Sequence, residues 1–175
     1  GEAAFYGPKL DVQVQPAVGN EITLSTCQLD FCLPAKFDLN YIDSDGTKKT
    51  PVVLHRAVFG SLDRFIAYYL EETKGSLPTW LAPTQVNIIP VNNLYHLDYA
   101  KEILEELRNA NVRVVLDDRD EKMGYKMRES QTKKIPFTLV LGNNERDNHT
   151  ISYRLHGQEE TKTLDKDEFI KYIKE

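Results

Sequence analysis

The stretch P-V-V-L-H-R-A-V-F-G-S-L-D-R-F, Pro51 to Phe65, decides how the first part of the chain folds. Val52, Val53, Leu54 and Val58 bracket a His-Arg pair, and Gly60-Ser61 interrupts the apolar run before Asp63 and Arg64. A short apolar run rich in Val reads as a strand, and a Gly-Ser break ahead of a periodic apolar pattern reads as a helix start. The stretch therefore predicts a strand, a turn and a helix beginning near Ser61. The first N–H groups of a helix are unpaired and its dipole is positive there, so a strand ending beside one makes an anion pocket. Arg64 lies in that first turn, where its guanidinium adds a fixed fork of donors suited to phosphate.

Working back from this stretch, Phe5 to Val14 holds a Gly7-Pro8 turn and then Leu10, Val12 and Val14 alternating with Asp11 and Gln13. That alternation predicts a half-buried strand. Glu21 to Phe31 is a second strand, and Pro16 to Asn20 (P-A-V-G-N) a turn between the two, so an antiparallel hairpin is expected. Leu33-Pro34 is expected to end the second strand. Phe37 to Ile42 reads as extended, Asp43 to Gly46 as a turn, and Thr50 to Arg56 as a third strand. The following helix, Ser61 to about Thr73, keeps Leu62, Phe65, Ile66, Tyr69 and Leu70 on one face.

Lys74 to Thr79 contains Gly75 and Pro78, a helix stop and a break. A domain boundary is placed here, giving domains 1–76 and 77–175. Beyond it the pattern alternates: strand Val86–Val91, helix Leu94–Ala110 with Leu97, Ala100, Ile103, Leu104 and Leu107 inward, strand Val112–Leu116, helix Met123–Lys134, strand Phe137–Leu141, strand Ile151–Leu155. Asp165 caps a last helix with Phe169, Ile170 and Ile173 inward. The fold class expected is α/β, α+β overall: an antiparallel sheet with a helix, then a mixed sheet covered by helices.

At 175 residues and 41% hydrophobic, with nine Tyr and seven Phe, the chain has enough apolar material for real cores. Its 27 acidic against 22 basic residues leave a net charge of −5, so a nucleic-acid site has to be a local basic patch. No apolar run approaches the length of a membrane span, and the N-terminus has no basic-then-apolar leader, so a soluble cytoplasmic protein is the expectation. Cys27 and Cys32 are read on one strand at odd separation, hence on opposite faces, with neither a disulfide nor a shared metal expected. Gly1-Glu2-Ala3-Ala4 runs into the first strand without an initiator Met, as in a piece of a longer chain.

The local basic patch exists in the sequence. Arg119, Lys122, Lys126, Arg128, Lys133 and Lys134 crowd together, and Lys122, Lys126 and Lys133 recur at helical offsets, which predicts a basic stripe. Tyr125 and Phe137 are candidates to stack on unpaired bases. Asp117, Asp118, Asp120, Glu121 and Glu129 dilute the charge, so a solvated helix face fits the same pattern.

The opening stretch also carries a resemblance. G-S-L-D-R after a strand is similar to the third signature motif of class II aminoacyl-tRNA synthetases, and L-H-R-A narrows this to the threonyl-tRNA synthetases. A-F-Y-G-P-K (Ala4 to Lys9), Q-L-D-F (Gln28 to Phe31) and Leu33-Pro34 match in order and spacing. The resemblance implies the C-terminal end of a catalytic core, with Tyr6 and Gln28 lining the threonine and adenylate pocket. It also implies Ser61 near the amino acid and Arg64, the catalytic candidate, on the ATP γ-phosphate. His55 resembles one of three zinc ligands, zinc telling threonine from valine through its hydroxyl. The implied cofactors are zinc and ATP with magnesium; the implied partners are threonine tRNA, L-threonine and a second subunit in a homodimer. The first two class II motifs and the other two zinc ligands are not in this sequence, so the chain alone is not expected to form an adenylate. His96, His149 and His156 are read as solvated.

The second domain resembles the anticodon-binding domain shared by threonyl, prolyl, histidyl and glycyl synthetases. The strings are P-T-W-L-A-P (Pro78 to Pro83), D-D-R-D-E-K-M-G-Y-K-M-R-E-S (Asp117 to Ser130), and K-K-I-P-F followed by L-V-L-G-N-N-E. By matched position Glu145 and Arg154 are implied to read anticodon bases, with Arg128 and Asp120 in support. Asp120 stands where the family commonly has Asn, and an ionised Asp only accepts hydrogen bonds. Two functions fit: part of a threonine–tRNA ligase, or a free-standing anticodon-binding module that does no chemistry. Retention of His55, Ser61 and Arg64 favours the first.

Overall fold

The computed structural model describes residues 4–174, and Gly1–Ala3, where the abrupt start was noted, lie outside the described residues. The chain divides into two compact units, Gly1–Lys74 and Gly75–Glu175.

In the first unit, β1 (Lys9–Val14) and β2 (Ile22–Asp30) form the expected antiparallel hairpin, and β5 (Val53–Ala57) pairs antiparallel with the other edge of β2. Between them come a short helix α1 (Cys32–Lys36) and a small hairpin of β3 (Tyr41–Ile42) and β4 (Lys48–Lys49). Helix α2 (Leu62–Glu72) follows, with Ser61 at its N-cap.

Helix α1 corrects the reading of Leu33-Pro34 as a simple stop. Pro34 sits in the first turn, where a missing N–H costs nothing. The Asp30 carboxylate accepts from the N–H groups of Cys32 (2.8 Å) and Leu33 (3.0 Å), supplying the partners that the helix start lacks. Cys32 is thus helical rather than on a strand, and both cysteines are free thiols. The first strand begins at Lys9, directly after the Gly7-Pro8 turn, but Leu10 and Val12 are exposed on it rather than half-buried, and only Tyr41–Ile42 of the extended stretch pairs.

Two glycines hold β2 in place. Gly60 has φ +60°, and a Cβ there would lie 2.6 Å from the Leu24 carbonyl oxygen. Gly7 has φ +153°, and its Cβ would lie 2.3 Å from the Leu29 oxygen. No residue of α2 is buried; of the predicted inward face Phe65 and Tyr69 are half-buried, Phe65 packing against Phe59, while Leu62, Ile66 and Leu70 are exposed.

In the second unit, β6 (Val86–Pro90), α3 (Asn93–Asn109), β7 (Val114–Leu116), α4 (Met123–Thr132) and β8 (Phe137–Leu141) lie close to the predicted segments. A helix α5 (Asn143–Asn148), β9 (Thr150–Leu155), β10 (Thr161–Asp165) and α6 (Lys166–Tyr172) complete it. The sheet order is β10-β9-β8-β6-β7, with β6 parallel to both β7 and β8 and the remaining pairs antiparallel. The mixed sheet expected from the alternating pattern is therefore present.

One face of this sheet is apolar. Val86, Ile88, Phe137, Leu139, Ile151 and Tyr153 pack with Ile103, Leu104 and Leu107 of α3 and Phe169 of α6. Removing water from such side chains contributes about 25 cal/mol per Å² and dominates the stability of the unit. Phe137, a stacking candidate for bases, is buried in an aromatic cluster with Tyr153, Phe169 and Tyr172 and is not available to RNA. Side chains alternate across a strand, so the opposite face carries Asn87, Thr138, Arg154 and Thr161, which lie opposite one another in register across β6, β8, β9 and β10. The next row holds Val140, Ser152 and Thr163. Helix α4 covers part of this polar face, fastened by a hydrogen bond between the buried Ser130 and Thr138 hydroxyls at 2.6 Å.

Candidate tRNA-binding and amino-acid sites

In the first unit, register brings three predicted residues together. Gln28 on β2 lies directly opposite His55 on β5, and Tyr6 donates its hydroxyl to Gln28 Oε1 at 2.8 Å. All three line a cleft of about 390 Å³ with Phe5, Asp30, Cys32, Leu33 and Lys36. The Tyr6 bond fixes the Gln28 amide and leaves its NH2 group as a donor.

Asp30 is the functional residue that residue-by-residue reading missed, although it stands inside the quoted Q-L-D-F string. It is 1% exposed and bonds His55 Nε2 at 2.9 Å through the oxygen not used by α1. The Leu33 N–H and the His55 ring together hold its carboxyl below the usual aspartate range. As an ionised acceptor it accepts a hydrogen bond from Nε2–H, so in the neutral ring Nδ1 is the lone-pair nitrogen of His55. A carboxylate behind a histidine is the arrangement that orients metal-binding imidazoles. Among the described residues, however, no group of three His, Cys, Asp or Glu is placed to hold a metal ion. The residues present do not by themselves complete a zinc site.

Arg64 and Ser61 do not line that cleft. Arg64 is exposed on α2 and donates to the Thr23 carbonyl at 3.3 Å, and the Ser61 hydroxyl makes no cap bond. Thr23 and Gln28 are five positions apart on β2, roughly 16 Å at the rise of a strand. The candidate phosphate group and the Tyr6–Gln28–His55 cleft thus sit toward opposite ends of β2.

In the second unit Glu145 and Arg154 share a cleft of about 330 Å³, lined also by Met123 and Met127 of α4, Val140, Ser152, Tyr153 and Thr161. Glu145 is in the first turn of α5 and reaches back to accept from Gly142 N–H at 2.8 Å; its other oxygen accepts from the Ser152 hydroxyl at 2.7 Å. Burial opposes the charge on Glu145, but the bonds from Ser152 and Gly142 outweigh it, so its carboxyl ionises below the usual glutamate range. At neutral pH it is a pure acceptor. Arg154 donates from Nη2 to the Thr161 hydroxyl at 3.3 Å, and its buried Nε–H has no partner among the described residues. The cleft therefore offers an acceptor, free donor capacity and two flexible thioethers in a space with room for a nucleobase.

The other two anticodon candidates stand apart. Arg128 is exposed on α4 and its side chain makes no hydrogen bond or ion pair among the described residues. Asp120 lines a neighbouring cleft of about 280 Å³ with Asn92, Asn93 and Arg119, which shares only Met123 with the Glu145–Arg154 cleft.

The predicted basic stripe is corrected. Lys126 is 3% exposed and donates from Nζ to the Asp117 carbonyl at 2.9 Å. Arg119 bridges Asp117 and Glu129, and Lys133 pairs with Glu129. The Arg119 guanidinium holds the Asp117 carboxyl below its usual range. Alternate placement of acidic residues neutralises most of the stripe, leaving Lys122 and Arg128 as its exposed cations without an ion pair among the described residues. His96, read as solvated, is buried: Nδ1 accepts from the Asn92 N–H at 3.1 Å, and Nε2 contacts Asn143 Oδ1 at 2.9 Å. It thereby ties the start of α3 to the start of α5, the helix that carries Glu145. His149 is exposed at the end of α5 and His156 half-buried.

Both units of the chain match known families. The anticodon binding domain family model matches residues 85–175, more than half of the chain. The chain belongs to the anticodon-binding domain family. Residues 1–73 match the class II tRNA synthetase core domain of the G, H, P, S and T group. Along its full length the chain is similar to threonine–tRNA ligases. It is 59% identical to that of Oceanobacillus iheyensis over 100% of this chain and 27% of the relative. Its identity to that of Staphylococcus saprophyticus is 59% over 97% of this chain and 26% of the relative. The chain thus spans about a quarter of the length of the curated relatives it matches. The RNA-binding domain of threonyl-tRNA synthetase from Cryptosporidium parvum superposes with a TM-score of 0.92 at 34% identity, covering 99% of this chain and 44% of that one. A prolyl-tRNA synthetase of the same organism, solved with L-proline and AMP, shares the fold at 20% identity and a TM-score of 0.71, over 99% of this chain and 39% of that one.

Proposed function

We propose that this chain forms part of a threonine–tRNA ligase, an ATP-dependent enzyme that joins threonine to its tRNA, and that its own share is anticodon recognition plus one wall of the amino-acid site. The observation that carries this reading is that Glu145 and Arg154 line one cleft of about 330 Å³, with room for a nucleobase. Glu145 accepts from base N–H groups and Arg154 donates to base carbonyls or ring nitrogens, the two complementary capacities needed to read an unpaired base edge. Arg128 lies on the outer face of α4 as a phosphate contact, and Asp120 borders the site from the neighbouring cleft.

In the first unit Tyr6 orients Gln28, and Asp30 orients His55, around a cleft that admits an amino acid. His55 would be a single ligand of a zinc ion, which would supply the Lewis acidity that tells a threonine hydroxyl from a valine methyl. Ser61 and Arg64 serve the far end of the site, Arg64 stabilising the γ-phosphate of magnesium-bound ATP. The whole enzyme works as a homodimer in the cytoplasm; among the described residues no helix is long and apolar enough to cross a membrane. By itself the chain binds the anticodon arm without charging it.

Binding of a threonine-tRNA anticodon stem-loop to the chain tests this. Glu145→Ala and Arg154→Ala are each expected to weaken it by roughly tenfold or more. Unchanged affinity in both variants removes the anticodon assignment, and threonine-dependent ATP–pyrophosphate exchange by the chain alone contradicts the stated division of labour.

A further inference from the structure

Glu145 is held from two sides. Gly142 N–H occupies Oε2 and the Ser152 hydroxyl occupies Oε1. Ser152 in turn contacts the hydroxyl of Thr163, its partner in register on β10, at 2.8 Å. A hydroxyl carries one proton. Ser152 gives its proton to Glu145, so the bond between the two hydroxyls runs from Thr163 to Ser152. The chain of donation is therefore Thr163 to Ser152 to Glu145, and a hydroxyl that accepts a bond is itself a stronger donor.

We infer that Thr163 and Ser152 form a positioning relay that fixes the plane of the Glu145 carboxylate for base discrimination in the cleft it shares with Arg154. The inference rests on the anticodon reading of Glu145. The last torsion of a Glu side chain is broad and lacks the three sharp wells of an alkyl bond. One tether at Oε2 leaves that torsion free; the second, at Oε1, sets it. A carboxylate accepts through about four lone-pair directions, and these two tethers use half of them. What remains of its acceptor capacity is then presented in one orientation to whatever donor enters beside Arg154, Met123 and Met127. Neither Ser152 nor Thr163 is assigned contact with RNA. They act through Glu145, and the selectivity of the site, more than its electrostatic attraction, depends on them.

The test uses the chain with two RNA hairpins: the threonine-tRNA anticodon stem-loop, and the same hairpin with its anticodon bases replaced. Affinities by fluorescence anisotropy give a preference ratio for each variant, alongside salt slope and thermal midpoint. Glu145→Ala is expected to abolish the preference. Ser152→Ala is expected to lower it by roughly tenfold, the loss of one charge-assisted bond, and Thr163→Val by a smaller factor. Salt slope and midpoint stay near wild type in both. Ser152→Thr and Thr163→Ser, which keep the hydroxyls, restore the preference. If Glu145→Ala destroys the preference while Ser152→Ala and Thr163→Val keep it in full, the relay is overturned and the anticodon reading stands. If Glu145→Ala keeps the preference, the anticodon reading fails and takes the relay with it.

Discussion

The Ser130–Thr138 pair fastens α4 to the polar face of the sheet, and its energetics follow from its burial. Ser130 is 1% exposed and Thr138 fully buried, so neither hydroxyl has water to fall back on. Ser130→Ala removes one partner and leaves the Thr138 hydroxyl unpaired, which costs about 1–3 kcal/mol. Thr138→Val leaves the Ser130 hydroxyl, which can turn back to the helix carbonyl four residues earlier, so about 1 kcal/mol is expected. The double variant strands nothing, and its cost is expected to stay at or below that of Ser130→Ala alone. A double-mutant cycle therefore yields a coupling of about 1–2 kcal/mol. For a unit of this size each kcal/mol moves the thermal midpoint by roughly 4–8 °C. Urea titrations of the four proteins, followed by circular dichroism, measure the coupling. Strictly additive single costs would refute the claim that this bond anchors the helix bearing Met123 and Met127.

Phe169→Ala empties the centre of the aromatic cluster with Phe137 and Tyr153 and is expected to destabilise the second unit by about 3–5 kcal/mol in the same denaturation assay. Gly60→Ala sets a Cβ against the Leu24 carbonyl at a positive φ, and is expected to loosen the start of α2, seen as faster amide exchange from Leu62 to Phe65. Asp117 and Glu145 both have depressed folded-state pKa values, so their contributions are present above the ordinary carboxylate range and vanish as pH falls through their lower folded values. Thermal midpoints should accordingly fall on acidification below about pH 4, and Asp117→Asn should flatten that limb. Arg128→Ala, if Arg128 touches phosphate, is expected to weaken RNA binding evenly across sequences and to lower the salt slope by about one.

Much of the fold was legible because it rests on periodicity. The helical spacing in Asn93–Asn109 reflects which side chains meet the core, and the alternation in Lys9–Val14 located a strand although Leu10 and Val12 are exposed there. What escaped was structure held by polar contacts. Helix α5 is spelled N-N-E-R-D-N, a turn-like composition, and is closed by the Glu145–Gly142 bond and a left-handed His149. β10 is a polar edge strand whose pairing comes from its neighbour rather than its own pattern. Tyr6, Gln28 and His55 line one cleft and Glu145 and Arg154 another, yet no spacing rule in the sequence brings them together. The role of Asp30 behind His55 depends on the register of β2 against β5, and the burial of Lys126 on how α4 sits against the sheet. Helical spacing placed Lys126 on an exposed basic stripe, and Asp30 drew no reading of its own.

The central claim is that an anticodon base enters the cleft between α4 and the polar face of β9. Amide hydrogen exchange of the chain with and without the threonine-tRNA anticodon stem-loop locates the contact directly. The account predicts new protection concentrated at Met123–Met127, Gly142–Glu145 and Ser152–Arg154, with β1, β2 and β5 unchanged. Protection confined to other segments, leaving those three untouched, would contradict it.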